Sequence, residues 1–232
     1  MKLSNTYLIG CQAMFYEIEI IEEYIKSVYK ALEFVDNKEN VNVEIMWNLS
    51  SYFEECESEQ KKTDIVARIG KLQKKYGFQS LFYQDNKKPY TMANYRRELN
   101  TRGVDYDFTI WGESDCLMPS QTFVVLEQIS EHAKANNIHR YITTFAIRKM
   151  WDDSWKVLEH NKFTDAPFYE MVDPKAITEQ SSIRYTMSIE EMDAINSQYD
   201  EFDVRMIRHP QFDGSGLVLS GDLLKNIYLH LT

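Results

Sequence analysis

Cysteine is scarce in this chain of 232 residues, and its three copies follow no regular spacing. Cys11, Cys56 and Cys116 form no Cys-x-x-Cys pair, which argues against a structural zinc site. An odd and sparse set of cysteines is typical of reduced thiols in a reducing compartment. We therefore expect a cytoplasmic protein whose thiols are not cross-linked.

Clusters of basic residues and long apolar runs are also missing. The formal net charge is -10, and no basic stripe interrupts the acidic surface that this balance implies. Such a chain is poorly suited to bind nucleic acid or an anionic membrane. The first residues have too short an apolar run for a signal peptide, and no stretch reaches the length of a membrane helix. We expect neither nucleic-acid binding nor an integral membrane segment.

Apolar residues between positions 6 and 150 alternate between strand-like and helix-like spacing. The strand-like runs cover residues 6–10, 41–47, 78–83, 108–111 and 139–150. Helical spacing fills the segments between them, and this order predicts an α/β fold with a mostly parallel, doubly wound sheet. The alternation is lost after position 150. We therefore expect a single domain over 1–232, in which 151–232 forms a lobe on the sheet built by 1–150.

Acidic residues crowd the start of the first predicted helix. Glu17, Glu19, Glu22 and Glu23 stand where the helix dipole favours negative charge. We interpret all four as a solvated face of that helix. In the last third, short apolar runs at 204–209 and 217–220 precede a predicted terminal helix over 222–231.

Two more acids follow the run 108–111 at its C-terminal end. Glu113 and Asp115 are separated only by Ser114. Ligands of α/β proteins bind beyond the carboxyl ends of the strands. In an extended chain, side chains two positions apart point the same way, about 7 Å from each other. Two like charges that close favour a bound cation, and oxygen ligands favour Mg²⁺ or Mn²⁺. The alternative is that both acids are solvated turn residues.

The segment around these acids resembles the GT-A-fold glycosyltransferases, in particular the inverting polysaccharide-building family (family 2-like). Members carry a helix ending in Arg-Asn, a short gap, a hydrophobic strand and then Asp-x-Asp. Here Arg97 precedes the strand FTIW, and Glu113-Ser114-Asp115 stands in the Asp-x-Asp position. The chain departs from the pattern at Glu98, which replaces the Asn, and at Glu113, which leaves metal coordination mainly to Asp115. The likeness covers about the first two-thirds of the chain.

The resemblance implies a Rossmann-like GT-A domain that transfers a sugar from a nucleoside-diphosphate donor to a glycan or other hydroxyl acceptor. Residues 1–150 would form the nucleotide-sugar-binding half, and 151–232 the acceptor-side lobe. Gln12 and Asn48 would lie against the nucleoside, although the family often has Asp at the second position. Arg97 would face the diphosphate, and Asp115 with Glu113 would hold Mn²⁺ or Mg²⁺.

The last third holds three further candidates. His209 resembles a late histidine that some GT-A enzymes use as an additional metal ligand; the alternative is a surface or core histidine. Asp153 and Asp152 resemble the acceptor-side acids of inverting enzymes, where a carboxylate takes the acceptor proton. Trp151 and Trp155 flank them and would form an acceptor platform. The alternative is a helix-capping pair between two core tryptophans.

Two other functions stay open. A sugar-phosphate nucleotidyltransferase shares the general fold, but would need a glycine-rich basic loop after the first strand. The segment GCQAMFYE there has one glycine and no basic residue. A non-catalytic carbohydrate-binding or assembly protein on the same scaffold is the third interpretation.

Overall fold

The computed structural model describes residues 1–18, 20–50, 59–143 and 216–229, which form one mixed sheet and its flanking helices. The strands are β1 (Tyr7–Met14), β2 (Val41–Asn48), β3 (Gln79–Tyr83), β4 (Phe108–Glu113), β5 (Ile142–Thr143) and β6 (Leu217–Ser220). The α-helices in these ranges are α1 (Ile21–Ala31), α2 (Glu59–Tyr76), α3 (Met92–Gly103), α4 (Thr122–Ala135) and α5 (Gly221–Leu229). Short 3₁₀ helices cover Phe15–Glu17, Leu32–Phe34 and Lys38–Asn40.

The sheet has the strand order β3-β2-β1-β4-β6-β5. β1 pairs in parallel with β2 and β4, and β2 pairs in parallel with β3. β6 is antiparallel to both of its neighbours, β4 and β5. Five strands therefore share one direction and β6 opposes them, so the carboxyl ends of β1, β2, β3 and β4 meet at a single edge.

Helices cover both faces of the sheet. On one face, Val28 of α1, Ile69 of α2 and Phe123 of α4 pack in one apolar cluster with Ile9 and Ile45 of the strands. Strands with side chains buried on both faces read as nearly continuous apolar runs, and β1 is buried from Tyr7 to Ala13.

The opposite face is covered by α3 and α5. Tyr95 and Leu99 of α3 pack against Leu8 and Met46 of the sheet. The N-terminus of α3 is fixed by Thr91, whose side-chain oxygen accepts a hydrogen bond from the Asn94 backbone N–H. α3 is the last helix before β4 in the chain, and it carries a side chain that contacts the carboxyl end of β4.

These observations confirm the predicted fold class, a mixed α/β fold with a mostly parallel sheet. The order in the sheet differs from a simple parallel series, since β6 lies between β4 and β5. All four residues of β6 are buried, because both faces of the sheet are covered at this strand: Val218 packs in the cluster of one face, and Leu217 and Leu219 pack with Leu224 of α5 on the other. The predicted strand over 139–150 is observed only as Ile142–Thr143, and 144–150 lie outside the described residues. The division of the domain at position 150 stays a prediction. β6 and α5, which come from the last third of the chain, belong to the sheet and to its helical cover.

None of the described helices has the length and apolar character needed to cross a membrane.

Candidate functional site

The carboxyl ends of β1, β2 and β4 bring three of the predicted residues to one edge of the sheet. Gln12 on β1 is the direct register partner of Glu113 on β4. Met14, two residues further along β1, is the partner of Asn48 at the end of β2. Register partners in a parallel sheet project to the same face, so Gln12 and Glu113 lie side by side.

Asp115 lies in the tight turn that follows β4. The backbone N–H of Cys116 donates to the carbonyl oxygen of Glu113 at 3.1 Å and closes this turn. The expectation of an extended chain, with the two carboxylates about 7 Å apart, is therefore wrong. One ligand atom from each of Glu113, Asp115 and Cys116 lies within 4.8 Å of the other two. The two acids are half-buried and the thiol is buried, so the three could hold one cation together.

Arg96 of α3 contacts this cluster. Its Nη2 donates to Glu113 Oε1 at 2.5 Å, and its guanidinium carbon lies 4.7 Å from the centre of the Trp111 ring. Trp111 is held in turn by Asn100, one helical turn after Arg96, whose side-chain oxygen accepts from Trp111 Nε1 at 2.8 Å. The guanidinium is thus fixed between a carboxylate and an aromatic face, both from β4.

Arg97, which the family resemblance assigned to the diphosphate, lies on the exposed side of α3. Tyr95 and Leu99 are the buried residues that set which side of the helix meets the sheet. Arg96 follows Tyr95 by about 100° around the helix, and Arg97 by about 200°. The spacing of Tyr95 and Leu99 is the signal in the sequence that would have pointed to Arg96.

Glu17 is a third acid at this edge, and the expectation that it belongs to a solvated helix face is wrong. Its Oε2 accepts a hydrogen bond from the backbone N–H of Met14 at 2.6 Å. Burial raises the pKa of the Glu17 carboxyl, hydrogen bonds from Met14 and Ser114 oppose the rise, and the nearby charges of Asp115 and Glu113 add to it. Glu17 lies in the 3₁₀ helix directly after β1. The sequence shows that the residue is near the end of the first strand, but it does not show in which direction the side chain points.

Two buried oxygen atoms at the strand ends lack a hydrogen-bond partner among the described residues. Gln12 is 4% exposed; its Nε2 lies 3.9 Å from Met14 Sδ, while its Oε1 contacts no donor. Tyr24 of α1 is 1% exposed, and its Oη also has no partner. Tyr24 reaches so close to Gly112 that a Cβ at that position would overlap its hydroxyl. Buried polar atoms left unpaired cost about 1–3 kcal/mol each, so a ligand or a water molecule that donates a hydrogen bond to these two oxygens would be stabilised there.

Asn48 is fully buried, and its side-chain amide forms hydrogen bonds with backbone groups of the protein. Its Nδ2 donates to the Tyr90 carbonyl at 3.0 Å, and its Oδ1 accepts from the Ser50 backbone N–H at 3.1 Å. Both ends of the amide therefore fix the segments that follow β2 and precede α3. Its predicted contact with a nucleoside stays a prediction.

The acceptor-side candidates Asp152 and Asp153, their flanking tryptophans and the candidate ligand His209 lie outside the described residues. A cavity of about 300 Å³ opens at the opposite edge of the sheet, near the amino ends of β2 and β3, and includes Tyr29, Lys38 and Tyr76 in its wall. It contains none of the predicted site residues.

No protein-family model and no curated protein sequence matches the chain. Solved structures show distant likenesses. The mannosyltransferase PcManGT from Pyrobaculum calidifontis, in complex with GDP-Man and Mn²⁺, is 11% identical over 54% of this chain and 31% of its own, with a TM-score of 0.35. The galactosyltransferase LgtC, in complex with donor and acceptor sugar analogues, is 15% identical over 50% and 41%, with a TM-score of 0.27.

A third likeness covers more of the chain. The 4-diphosphocytidyl-2C-methyl-D-erythritol synthase from Anaerococcus prevotii is 11% identical over 85% of this chain and 86% of its own, with a TM-score of 0.33. The chain spans less than half the length of the first two structures. Each TM-score lies below 0.5, so these likenesses carry no argument about the function of this chain.

Proposed function

We propose that this protein is a metal-dependent glycosyltransferase that moves a sugar from a nucleoside-diphosphate donor to a glycan or other hydroxyl acceptor. The observation that carries the proposal is the turn after β4, which gathers Glu113 and Asp115 beside Gln12 at the carboxyl edge of the sheet. A bound Mn²⁺ or Mg²⁺ would neutralise the charge that develops on the nucleoside diphosphate as the glycosidic bond breaks.

The donor would lie across the ends of β1 and β4. Gln12 Oε1 is a buried acceptor without a donor among the described residues, and a hydroxyl or N–H of the nucleoside would satisfy it. Arg96 is the guanidinium that touches Glu113, and it would meet the diphosphate oxygens with its planar fork. The assignment of that role to Arg97, which the family resemblance implies, stays a competing prediction.

The acceptor side depends on residues outside the described part of the chain. Asp153, or Asp152, would take the proton from the acceptor hydroxyl as its oxygen bonds to the sugar. His209 would add a ligand to the ion. Both assignments stay predictions.

Glu17 makes the nucleotidyltransferase alternative less suitable. That reaction needs a cationic cradle for a triphosphate after β1. The segment after β1 has no basic residue before Lys26 and carries a carboxylate bonded to the Met14 backbone, so it offers no such cradle.

The proposal is tested by thermal stabilisation. Nucleoside diphosphates with each of the common bases are added to the protein with Mn²⁺ or with EDTA, and the Tm is measured. A ligand at 100 times its Kd stabilises the folded state by about 2.7 kcal/mol through mass action. We expect one nucleoside diphosphate to raise the Tm only when Mn²⁺ is present. The sugar nucleotide with the same base should then donate its sugar to one member of a panel of hydroxyl acceptors.

Asp115→Asn should remove the Mn²⁺-dependent rise while the protein stays folded, because neutralising it relieves repulsion with Glu113 and Glu17. Asp105→Asn is the matched control, since Asp105 is an exposed acid before the amino end of the same strand. Equal stabilisation with EDTA and with Mn²⁺, or the same loss in both variants, contradicts the proposed ion site.

A further inference from the structure

The turn after β4 places a sulfur atom among the oxygen ligands. Cys116 Sγ lies 3.6 Å from Asp115 Oδ1, and the hydrogen bond between Cys116 N–H and the Glu113 carbonyl keeps the three residues together. Their ligand atoms lie within 4.8 Å of one another, a spacing that one ion can bridge after small side-chain rotations. Cys116 is buried and the acids are half-buried, so the thiol forms the inner wall and the acids the open side.

We propose that Cys116 is a ligand of the ion, together with Glu113 and Asp115, and that the site prefers a sulfur-binding transition ion such as Co²⁺ or Zn²⁺ over Mg²⁺. This inference rests on the ion site of the proposed function. Thiolates select borderline and soft ions, whereas carboxylates and water suit Mg²⁺. The thiol gives its proton to solvent when the ion binds, as every cysteine ligand does.

The charges around the turn fit a divalent ion. Two carboxylates and one thiolate carry three negative charges, and the Arg96 guanidinium on Glu113 supplies one positive charge. The net charge of these four groups is negative, and the carboxyl of Glu17 nearby adds to it, so a divalent cation reduces the repulsion at this place. The contact with Arg96 does not prevent Glu113 from binding the ion, because a carboxylate has lone pairs on both of its oxygens.

The two unpartnered oxygen atoms provide independent support for a ligand at this place. Gln12 Oε1 lies on the face of the sheet that carries Glu113, and Tyr24 Oη lies on the other face, against Gly112. Both residues are more than nine-tenths buried. Tyr24 Oη can accept a hydrogen bond from a water molecule bound to the ion, whereas Gln12 Oε1 would meet the nucleoside of the proposed donor.

Cobalt substitution tests the sulfur ligand directly. Co²⁺ is titrated into the metal-free protein, and the near-ultraviolet absorption is followed for the sulfur-to-cobalt charge-transfer band. We expect the band to appear with one ion per chain in the wild type, to persist in Cys11→Ser and to be absent in Cys116→Ser. Cys11 is the matched control because it is the other buried thiol of the described chain and is not among the three clustered ligands.

Ion selectivity supplies a second measurement. We expect Cys116→Ser to lower the affinity for Co²⁺ by about tenfold or more and to change the affinity for Mg²⁺ by about twofold or less. A wild-type protein that binds Co²⁺ without the band overturns the inference, and this result does not depend on whether any variant folds. A band that is lost in Cys11→Ser and kept in Cys116→Ser overturns it as well.

The outcomes separate this inference from the proposed function. If a nucleoside diphosphate still requires an ion for stabilisation but Cys116→Ser leaves the Co²⁺ affinity unchanged, the ion site has only oxygen ligands and Cys116 has no part in it. If the charge-transfer band appears and is lost in Cys116→Ser, but no nucleoside diphosphate stabilises the protein, the sulfur ligand is established and the glycosyltransferase proposal fails.

Discussion

Arg96 and Arg97 are neighbours in the sequence, but α3 gives them different surroundings. Arg96 bonds Glu113 and lies over Trp111, whereas Arg97 is on the exposed side of the helix. Charge-assisted hydrogen bonds are worth about 1.5–3 kcal/mol when they are formed in a half-buried site. Arg96→Ala should therefore weaken nucleoside-diphosphate binding about tenfold or more.

The matched variant is Arg97→Ala, measured by the same calorimetric titration in the presence of Mn²⁺. We expect its Kd to stay within about threefold of wild type, since surface charges are screened by salt. If instead Arg97→Ala causes the larger loss, the phosphate contact belongs to Arg97, as the sequence resemblance implied.

At the scale of elements, the position of Arg96 depends on how closely α3 approaches β1. Gly10 faces the helix, and a Cβ there would overlap Tyr95 Oη and the Leu99 side chain. Tyr95 cannot easily turn away, because its hydroxyl donates to the buried Glu44 at 3.0 Å. Gly10→Ala should lower the free energy of unfolding by about 1–3 kcal/mol, as overpacked cores do.

Gly70 is the matched control for this substitution. It lies in α2, is exposed, and a Cβ there would meet no atom within 4 Å. Gly70→Ala should raise the free energy of unfolding by about 1 kcal/mol, because alanine is the better helix former. Urea denaturation of both variants checks the pair; a Gly10→Ala protein as stable as wild type would mean that α3 is not held against β1 in this way.

At the scale of the whole molecule, Glu127 ties the N-terminal segment to α4, more than a hundred residues away. Its carboxylate accepts from the Ser4 and Asn5 backbone N–H groups at 3.0 and 3.1 Å and from Tyr7 Oη at 2.7 Å. Burial by itself raises the pKa of Glu127, but the hydrogen bonds from Tyr7, Asn5 and Ser4 outweigh it, and the pKa lies below its usual value.

A lowered pKa in the folded state fixes the sign of the pH effect. The stabilisation is present above the unfolded-state pKa of about 4.3 and is lost as the pH falls through the lower folded-state value. Glu127→Gln should be less stable than wild type at neutral pH, and the difference should shrink in the acidic range below about pH 4. Denaturant titrations at several pH values measure this, with the exposed Glu131→Gln on the same helix as control. Parallel pH profiles of wild type and Glu127→Gln would contradict the assignment.

The sequence by itself determined the class of fold and the location of the acids. Local periodicity fixed the strands at β1, β2, β3 and β4 to within a few residues, because buried parallel strands read as short apolar runs between helical patterns. It also placed Glu113 and Asp115 after a central strand and Gln12 just after the first predicted strand. In a parallel sheet, the carboxyl ends of these two strands lie at the same edge.

Only the tertiary structure decided which side chains surround those acids. β6 takes its place between β4 and β5 through pairing with a strand more than a hundred residues earlier, which no local pattern encodes. The phase of α3 on the sheet turns Arg96 inward, and the 3₁₀ helix after β1 directs Glu17 toward the turn. The turn itself draws Cys116 to Glu113 and Asp115. Each of these depends on non-local packing and on the direction of a side chain, whereas the spacing of residues along the chain reports only which face of its own element a residue occupies.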